Sequence, residues 1–314
     1  MTALPDKSVA MEDAVAAIPD GATVMLGGFG VPGTPFALIR ELVRQGKRDL
    51  TVIKNDANEQ GLGVDHLLAA GLVRKLITTH TGLNPRAVAM LNAGDLEVEF
   101  CAQGILAERV RAGGAGLGGV LTDIGIETEL AKGKQVVEVD GRTALLERAL
   151  RADVALIHAD RNLIDADGAY ISPVPGSAYF DSAASFALVR SGRLDLTMLG
   201  AFEVPQSGGL ANWKIPGKFS PGAGGAIELA QKARRVVVLP PHTDRKGAPK
   251  LLATCSLPLT ARGCVARVFT DMAVIDVIDT GFALREIAEG LEPELVIAAT
   301  GAPLTLPTGT LPRF

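Results

Sequence analysis

The stretch Thr23-Val24-Met25-Leu26-Gly27-Gly28-Phe29-Gly30-Val31-Pro32-Gly33 decides the fold class. The run 23–26 predicts a short buried strand, and the four glycines in the segment that follows predict a tight turn. The next segment, residues 35–45, places Phe36, Ile39, Leu42 and Val43 at the spacing of one helix face. A strand, a glycine-rich turn and a helix in this order are typical of an α/β unit.

The same alternation continues outward from this stretch. Further strands are predicted at 50–53, 75–79 and 96–100, with helices at 64–70, 85–92 and 104–111 between and after them. Asp140-Gly141 separates two apolar runs at 135–139 and 143–147, which predicts a hairpin, and another strand is expected at 154–158. Strands that alternate with helices of this length favour a parallel sheet covered by helices.

A polar segment at 160–168 interrupts the alternation, which then restarts. The second half predicts helices at 181–190, 225–233 and 284–289, and strands at 194–199, 236–239 and 274–277. We therefore expect two related, mostly parallel α/β sheet units, either separate or merged into one, with domains at 1–160 and 161–314. Residues 303–314 contain three prolines and are expected to lie along the surface.

Composition excludes several classes of protein. The chain has 314 residues and a formal net charge of −4, which gives no general attraction to nucleic acid or to anionic lipid. No apolar stretch approaches the ~18 residues of a membrane span, and the first ten residues do not resemble a secretory signal. Three cysteines without CxxC spacing favour a reducing, cytoplasmic location. The four histidines lack metal-ligand spacing, so no metal is expected.

Glycine is unusually abundant, with 36 residues, and many of them cluster at 27–33, 113–119, 200–209 and 217–225. In the 27–33 turn, Gly28 and Gly30 are candidates for an anion cradle in which backbone N–H groups face a phosphate. A purely structural turn explains the same residues equally well. In the cluster at 113–119, Gly114 and Gly116 are candidates for a backbone-lined ligand channel or an interface loop, and a flexible linker is the alternative.

A third glycine-rich region surrounds the only tryptophan. Asn212-Trp213-Lys214 and Pro216-Gly217-Lys218 precede Gly222-Ala223-Gly224-Gly225, which opens a predicted helix. Amides at a helix start together with nearby amide and ammonium groups suit an elongated anionic ligand with an apolar body. We therefore predict that Gly222, Gly224 and Gly225 bind such a ligand, with Asn212 and Lys218 nearby. A tryptophan that fixes a long loop to the core is compatible with this prediction.

Together these segments resemble family I coenzyme A transferases, the 3-oxoacid and acetate CoA-transferase group. Residues 20–160 are similar to the family's α subunit through Gly27-Gly28-Phe29-Gly30, Ala102-Gln103-Gly104 and Leu146-Glu147-Arg148-Ala149-Leu150-Arg151-Ala152-Asp153. Residues 163 to about 290 are similar to the β subunit through Pro175-Gly176-Ser177-Ala178, Asn212-Trp213 and Leu257-Pro258-Leu259-Thr260. The chain therefore resembles an α–β fusion.

The resemblance implies a reaction, its partners and further site residues. Coenzyme A would pass between an acyl-CoA of 3-oxoacyl, acetyl or succinyl type and a small carboxylic acid, in ketone-body and short-chain fatty-acid metabolism. A glutamate would attack the thioester, giving first a mixed anhydride and then a glutamyl-CoA thioester. Coenzyme A is a substrate, and no cofactor is needed. Gln103 joins the glycines as a binding residue, and a homo-oligomer or a complementary subunit is expected.

One departure from the family concerns the nucleophile. The family's glutamate lies in a Ser-Glu-Asn-Gly segment of the β subunit, and this chain passes from Ala155-Leu156-Ile157 almost directly into β-like Leu163-Ile164. The resemblance therefore implies an internal deletion that includes that segment. Asn58-Glu59-Gln60-Gly61-Leu62-Gly63 places a glutamate before Gly-Leu-Gly after a strand, which makes Glu59 the candidate nucleophile.

Two other functions remain open from the sequence. A chain without the family's glutamate could bind CoA without turning it over, or it could hydrolyse or cleave acyl-CoA on the same scaffold. Sugar-phosphate isomerases share the fold class, but the Asn212-Trp213 match does not favour them, and a fold alone does not define a function.

Overall fold

The computed structural model describes residues 8–158, 163–164, 170–172, 181–218 and 220–314. The chain divides into two compact units. The first comprises Met1–Cys101 and Leu150–Ala178, and the second comprises Ala102–Ala149 and Tyr179–Phe314. The predicted domain junction at 160–168 lies outside the described residues, apart from Leu163–Ile164.

The first unit alternates helices and strands through its first segment, residues 11–100, and its second segment adds strands only among the described residues. Its helices are α1 Met11–Ala16, α2 Phe36–Gln45, α3 Val64–Ala69 and α4 Pro85–Ala93. Its strands are β1 Thr23–Leu26, β2 Leu50–Ile53, β3 Val73–Thr78, β4 Glu97–Phe100, β8 Val154–Leu156, β9 Leu163–Ile164 and β10 Tyr170–Ile171.

The second unit is richer in strands. Its helices are α5 Gln103–Gly114, α6 Ser182–Arg190, α7 Ala226–Lys232 and α8 Pro293–Ala299, with a 3₁₀ helix at Glu129–Ala131. Its strands are β5 Gly119–Thr122, β6 Gln135–Val139, β7 Arg142–Arg148, β11 Thr197–Leu199, β12 Val204–Pro205, β13 Val236–Val238, β14 Leu251–Leu252, β15 Val265–Phe269, β16 Ala273–Ile278, β17 Gly281–Ile287 and β18 Leu304–Thr305.

A five-stranded parallel sheet forms the centre of the first unit, in the order β4-β3-β2-β1-β8. Strand β2 is buried at all four positions, as expected for a strand with helices over both faces. One core of aliphatic side chains, including Val24, Ile39, Leu42 and Leu76, joins this sheet to its helices. Because the strands are parallel, the glycine-rich turn after β1 and the loop after β2 emerge at the same sheet edge.

The second unit contains a six-stranded sheet in the order β11-β13-β15-β16-β17-β18. Strands β11, β13 and β15 are parallel, whereas β15, β16 and β17 pair in antiparallel fashion. A separate three-stranded sheet, β5-β7-β6, contains the hairpin predicted at Asp140-Gly141. The α/β class and the two sheet units are confirmed, and the larger sheet of the second unit is mixed in direction.

The compact units do not follow a division at residue 160. Residues 102–149 belong to the second unit because α5 begins against α7, where the Gln103 amide donates to the Gly224 carbonyl at 3.0 Å and the Gly104 amide donates to Glu228 at 2.6 Å. The division at residue 160 stays a prediction about the sequence halves.

One prediction in the C-terminal part was wrong. The segment 284–289 is not a helix, because Gly281–Ile287 forms β17 and pairs with β16 in antiparallel register, Leu284 opposite Ile275. Most of residues 303–314 are exposed, as predicted for a surface segment, and Leu304–Thr305 also pairs with β17 while Arg313 bridges to Ile287. Nowhere in the described part of the chain does a helix have the length and apolar character that a membrane crossing requires.

Candidate functional site

The turn at 27–33 is shaped by glycine and closed by its own backbone. Gly28 has a φ of 97°, and a Cβ there would lie 2.5 Å from the Thr34 nitrogen, so a larger residue does not fit. The Phe29 amide donates to the Pro32 carbonyl at 3.0 Å. The Gly30 amide donates to Asp56 at 2.8 Å. The predicted anion cradle at Gly30 is thus filled by a carboxylate of the same chain, and ligand binding by Gly28 stays a prediction.

A buried ion pair supports this turn from the loop after β2. Lys54 is 0% exposed, and its Nζ lies 3.1 Å from Oδ1 of Asp56. Burial lowers the pKa of Lys54, an effect that the charge of Asp56 opposes. Burial by itself raises the pKa of Asp56, but the Lys54 charge and amide hydrogen bonds from Gly30 and Asn58 bring the pKa below its ordinary value. Asp56 is therefore an anion that organises the turn.

Asn58 connects the turn to the candidate nucleophile. Its φ of 55° is left-handed, a conformation that asparagine tolerates better than most residues. Its Nδ2 donates to the Gly30 carbonyl at 2.6 Å, and its Oδ1 accepts from the Val64 amide at 3.0 Å at the start of α3. Glu59 follows directly, and its side chain is exposed. Glu59 thus lies in the loop after β2, next in the chain to Asn58, which helps to fix the Gly27–Gly33 turn.

In the second unit, predicted binding residues from both halves of the sequence meet. Besides the Gln103–Gly224 hydrogen bond, a Cβ at Gly104 would lie 2.4 Å from Cβ of Phe186, and one at Gly225 would lie 2.8 Å from its ring. Glycine is therefore required at Gly104 and Gly225 for close packing of α5, α6 and α7. Gly222 donates its amide to the Trp213 carbonyl at 3.1 Å.

Sequence reasoning missed a buried charge network beneath this contact. Glu228 is 0% exposed and accepts from the Gly104 amide and from Nη1 of Arg190, at 2.6 and 2.8 Å. Nη2 of Arg190 also donates to Glu108 at 2.7 Å. Burial raises the pKa of Glu228, although Arg190 and the Gly104 amide act in the opposite direction. No local motif could reveal these residues, because they come from three separate helices.

The described side chains of segment 212–218 form their hydrogen bonds mainly within the second unit. Nδ2 of Asn212 donates to the Gly200 carbonyl at 3.0 Å, and its Oδ1 accepts from the Thr260 hydroxyl at 2.6 Å. Trp213 is buried, and its indole donates to the Leu259 carbonyl at 3.2 Å, as expected for a loop fixed to the core. Lys218 is exposed. Ligand binding by Asn212 and Lys218 stays a prediction.

The glycines at 113–119 end a helix. Ala115 follows α5, and Gly116 lies in the left-handed region with a φ of 74°. Its amide donates to the Gly113 carbonyl and the Leu117 amide to the Ala112 carbonyl, which is the Schellman pattern. Strand β5 begins at Gly119, so the flexible-linker interpretation was wrong. Gly114 and Gly116 are exposed, and their role in ligand binding stays a prediction.

Thiol and metal chemistry have little support in these units. Burial raises the pKa of Cys255 to about 12, with a further contribution from Glu203, and burial raises the pKa of Cys264 to about 12. Both side chains are thus neutral thiols at neutral pH. His242 is buried between the Thr270 and Thr300 hydroxyls, in a structural position. Within the described ranges, no group of three His, Cys, Asp or Glu side chains could hold a metal ion.

Fold and site together describe an α/β protein with glycine-rich turns at the ends of parallel strands. The family model for coenzyme A transferase matches residues 9–163 and again residues 160–299. The chain therefore belongs to the coenzyme A transferase family, as its sequence predicts, and this membership assigns it to the enzymes that transfer coenzyme A.

Two bacterial relatives that are separate subunits each match about half of the chain. The probable coenzyme A transferase subunit beta of Bacillus subtilis (strain 168) is 49% identical over 147 residues, 47% of this chain and 68% of that subunit. The acetate CoA-transferase subunit alpha of Escherichia coli (strain K12) is 46% identical over 155 residues, 49% of this chain and 70% of that subunit. The chain is therefore an α–β fusion, and part of each separate subunit is unmatched.

A solved structure supports the fold. The crystal structure of an acyl-CoA transferase from Escherichia coli O157:H7, in a thioester complex with CoA, superposes with a TM-score of 0.83. It covers 98% of this chain and 94% of that chain at 18% sequence identity. At this identity the match shows a shared fold.

Proposed function

We propose that this chain transfers coenzyme A from an acyl-CoA to a free carboxylic acid, with Glu59 as the covalent nucleophile. The observation that supports this role is the position of Glu59. Its exposed side chain lies in the loop after the parallel strand β2 and directly follows Asn58, which together with Asp56 holds the Gly27–Gly33 turn. A nucleophile needs an accessible carboxylate in a fixed position, and this is the place where α/β sheets carry their ligands.

Glu228 is the rival carboxylate, since it lies near Gly224 and Gly225. Its two oxygens accept from the Gly104 amide and from Arg190, and its side chain is 0% exposed. A thioester carbonyl could reach it only if these hydrogen bonds broke and α5 and α7 separated. Glu228 is therefore a packing residue in this proposal.

The reaction on Glu59 is a double displacement. A Glu59 oxygen attacks the thioester carbonyl and expels the CoA thiolate, which leaves an acyl-glutamyl anhydride. The thiolate then attacks the glutamyl carbonyl, releases the first carboxylate and forms glutamyl-CoA. An acceptor carboxylate reverses the two steps, which returns Glu59 as a carboxylate and gives the new acyl-CoA. Each bond that breaks in these steps is matched by one that forms, so the reaction requires no redox partner and no bound metal.

The experiment is to trap the glutamyl thioester. The full-length chain is incubated with succinyl-CoA or acetyl-CoA and treated with borohydride, which reduces a glutamyl thioester to an alcohol, and mass spectrometry locates the modified residue. We expect the modification at Glu59 and its loss in Glu59→Gln. CoA exchange should fall by several orders of magnitude in that variant, because a covalent nucleophile acts in the chemical step.

Glu12→Gln is the matched control, because Glu12 is an exposed glutamate of the same unit. It should retain both adduct and exchange. Exchange that persists in Glu59→Gln would assign the chemistry to another carboxylate or to a complementary subunit. CoA binding without adduct or exchange in the unmodified protein would identify a non-catalytic member of the family.

A further inference from the structure

The loop between β2 and α3, which carries Glu59, is held on both sides by the first turn of α4. On the side that precedes Glu59, Nδ2 of Asn84 donates to the Ala57 carbonyl at 2.9 Å. Asn84 is the N-cap residue of α4 and is 0% exposed, and its Oδ1 accepts from the Ala87 amide at 3.0 Å. Both ends of this side-chain amide are therefore fixed, and so is the backbone just before Glu59.

On the side that follows Glu59, a buried carboxylate holds the turn. Oδ2 of Asp65, in the first turn of α3, accepts from the Gly61 amide at 2.8 Å. The Leu62 amide donates to the Glu59 carbonyl at 3.1 Å, so Gly61 belongs to the turn that begins at Glu59. Gly61 has a φ of 81°, in the left-handed region that favours glycine. Asp65 therefore fixes the orientation of a peptide group inside this turn.

Arg86 orients the carboxylate of Asp65. Asp65 is 2% exposed, so its oxygens need hydrogen-bond partners within the protein. Oδ1 accepts from Nε of Arg86 at 2.9 Å, which leaves Oδ2 for the Gly61 amide. Arg86 lies in the first turn of α4, two residues after Asn84. A hydrogen bond between two charged groups is stronger and more directional than a neutral one, and it connects α4 to the turn through a single side chain.

We propose that Arg86 is a positioning residue for coenzyme A transfer and that it acts through Asp65 on the turn that carries Glu59. The inference rests on the proposed function, in which Glu59 is the nucleophile. Arg86 and Asp65 need no contact with the substrate for this role. Because a displacement of about 1 Å at a reacting group can cost on the order of 100-fold in rate, loss of Arg86 should slow the chemical step and leave CoA binding unchanged.

The contacts of Asp65 also predict that asparagine cannot replace it. Both of its partners are N–H donors, the Gly61 amide and Nε of Arg86. An asparagine side chain has one oxygen and one NH₂ group, so in either orientation its NH₂ faces one of the two donors. Asp65→Asn should therefore disturb the same turn as Arg86→Gln.

A single-turnover experiment on the full-length chain tests the proposal. The rate of acetate release is measured at saturating acetyl-CoA without acceptor, and the Kd for free CoA is measured by calorimetry. Both are measured at a temperature at which circular dichroism shows each variant to be folded. In Arg86→Gln and Asp65→Asn the rate should fall by about ten-fold or more, while the Kd stays within about two-fold. Arg86→Lys, which keeps the cation, should retain part of the rate.

Arg48→Gln is the matched control, because Arg48 forms an ion pair with Asp20 in the same unit and both side chains are exposed. Its rate and its Kd should equal those of the unmodified protein. Amide deuterium uptake, followed by mass spectrometry, supplies a local readout. Peptides that span 59–63 should take up deuterium at least about ten-fold faster in Arg86→Gln, whereas uptake in α2 should not change.

Several outcomes would overturn the proposal. A rate within two-fold of the unmodified protein in folded Arg86→Gln removes the role, and so does faster deuterium uptake throughout the first unit, which would make Arg86 a structural residue only. If Arg86→Gln does not fold, Arg86→Lys decides: an unchanged rate overturns the proposal, and a lower rate with unchanged Kd supports it. A borohydride adduct at a residue other than Glu59 overturns the proposed function together with this inference. An adduct at Glu59 with an unchanged rate in Arg86→Gln overturns this inference alone.

Discussion

At the scale of single residues, the Lys54–Asp56 pair is the most consequential feature of the first unit. A buried ammonium and a buried carboxylate each lose several kcal/mol of hydration, which their attraction must offset. Asp56 also accepts the Gly30 and Asn58 amides at 2.8 Å, so one side chain holds two segments together. The pair therefore fixes the turn and the loop that precedes Glu59.

Removal of one partner leaves the other charge buried. Lys54→Met should lower the free energy of unfolding by about 3–5 kcal/mol, because Asp56 would lose its counter-ion while it remains away from water. Urea unfolding followed by far-ultraviolet circular dichroism measures the change. Lys132→Met is the control, since Lys132 is 76% exposed, and it should stay within about 0.5 kcal/mol.

The double variant Lys54→Met/Asp56→Asn separates charge from packing. Asparagine keeps an acceptor oxygen for the Gly30 or Asn58 amide and carries no charge. The double variant should therefore lose less stability than Lys54→Met alone. If both proteins were equally destabilised, the loss would come from the volume and shape of Lys54, and the electrostatic interpretation would be wrong.

Some residues of the candidate site could be predicted from sequence motifs, whereas others could not. Gln103, Gly224 and Gly225 were selected by motif, and the structure brings them together. The Glu108–Arg190–Glu228 network was invisible, because Glu108 and Arg190 are 82 positions apart. An ordinary charged helix surface has the same sequence pattern, and only the tertiary packing of three helices makes Glu228 a buried group.

At the scale of elements, α2 contains a compact charge cluster. Glu41 accepts from Arg44 at 2.6 and 2.7 Å and from Gln45 at 2.6 Å, on one side of the helix. The hydrogen bonds from Arg44 and Gln45 lower the pKa of Glu41 to about 2, from an ordinary value of 4.5. The carboxylate form is thus favoured in the folded state.

This shift predicts a pH-dependent stability with a definite sign. The unfolded chain binds a proton to Glu41 more tightly than the folded chain does, so the stabilisation is complete above the ordinary pKa and is lost as the pH falls from about 4.5 to about 2. The stability difference between the unmodified protein and Glu41→Gln should shrink over this window in urea unfolding. Arg44→Gln should remove most of the same dependence, and a difference that stays constant would contradict the assignment.

The elements that were predicted correctly have strong local signals. Strands β1 and β2 are short apolar runs bounded by turn residues, and α4 begins with an Asn84 cap and a proline and ends at Gly94. Strand β17 was misread because Leu284 and Ile287 have helical spacing. Pairing with β16 and burial of Phe282 and Leu284 on the sheet outweigh that weak preference.

At the scale of the whole molecule, local motifs predict the fusion of an α-like and a β-like half, whereas long-range contacts determine which residues form each compact unit. The order of α-like and β-like motifs predicted the two matches to one family, at 9–163 and 160–299. The extent of the compact units could not be predicted in the same way. Residues 102–149 join the second unit through contacts between positions more than a hundred residues apart, such as Gly104 with Glu228, and no local pattern encodes such contacts.

The stoichiometry of the reaction distinguishes CoA transfer from thioester hydrolysis and from CoA binding without turnover. With acetyl-CoA and no acceptor acid, a transferase converts its glutamate carboxylate and the thioester into glutamyl-CoA and free acetate. We therefore expect one equivalent of acetate per active chain and no free CoA thiol. A hydrolase would release thiol continuously, and a protein that only binds CoA would release neither product.

The measurement uses isotope-labelled acetyl-CoA at a small molar excess over protein. Acetate is followed by nuclear magnetic resonance and thiol by a colorimetric reagent, against a baseline for the protein's own cysteines. Glu59→Gln should abolish the acetate burst, whereas Glu12→Gln should retain it. Addition of succinate should then convert the retained CoA into succinyl-CoA without free thiol, because each bond to sulfur that breaks is replaced by a new one. Thiol that accumulates with time in the absence of acceptor would instead identify water as the acceptor and the chain as a thioester hydrolase.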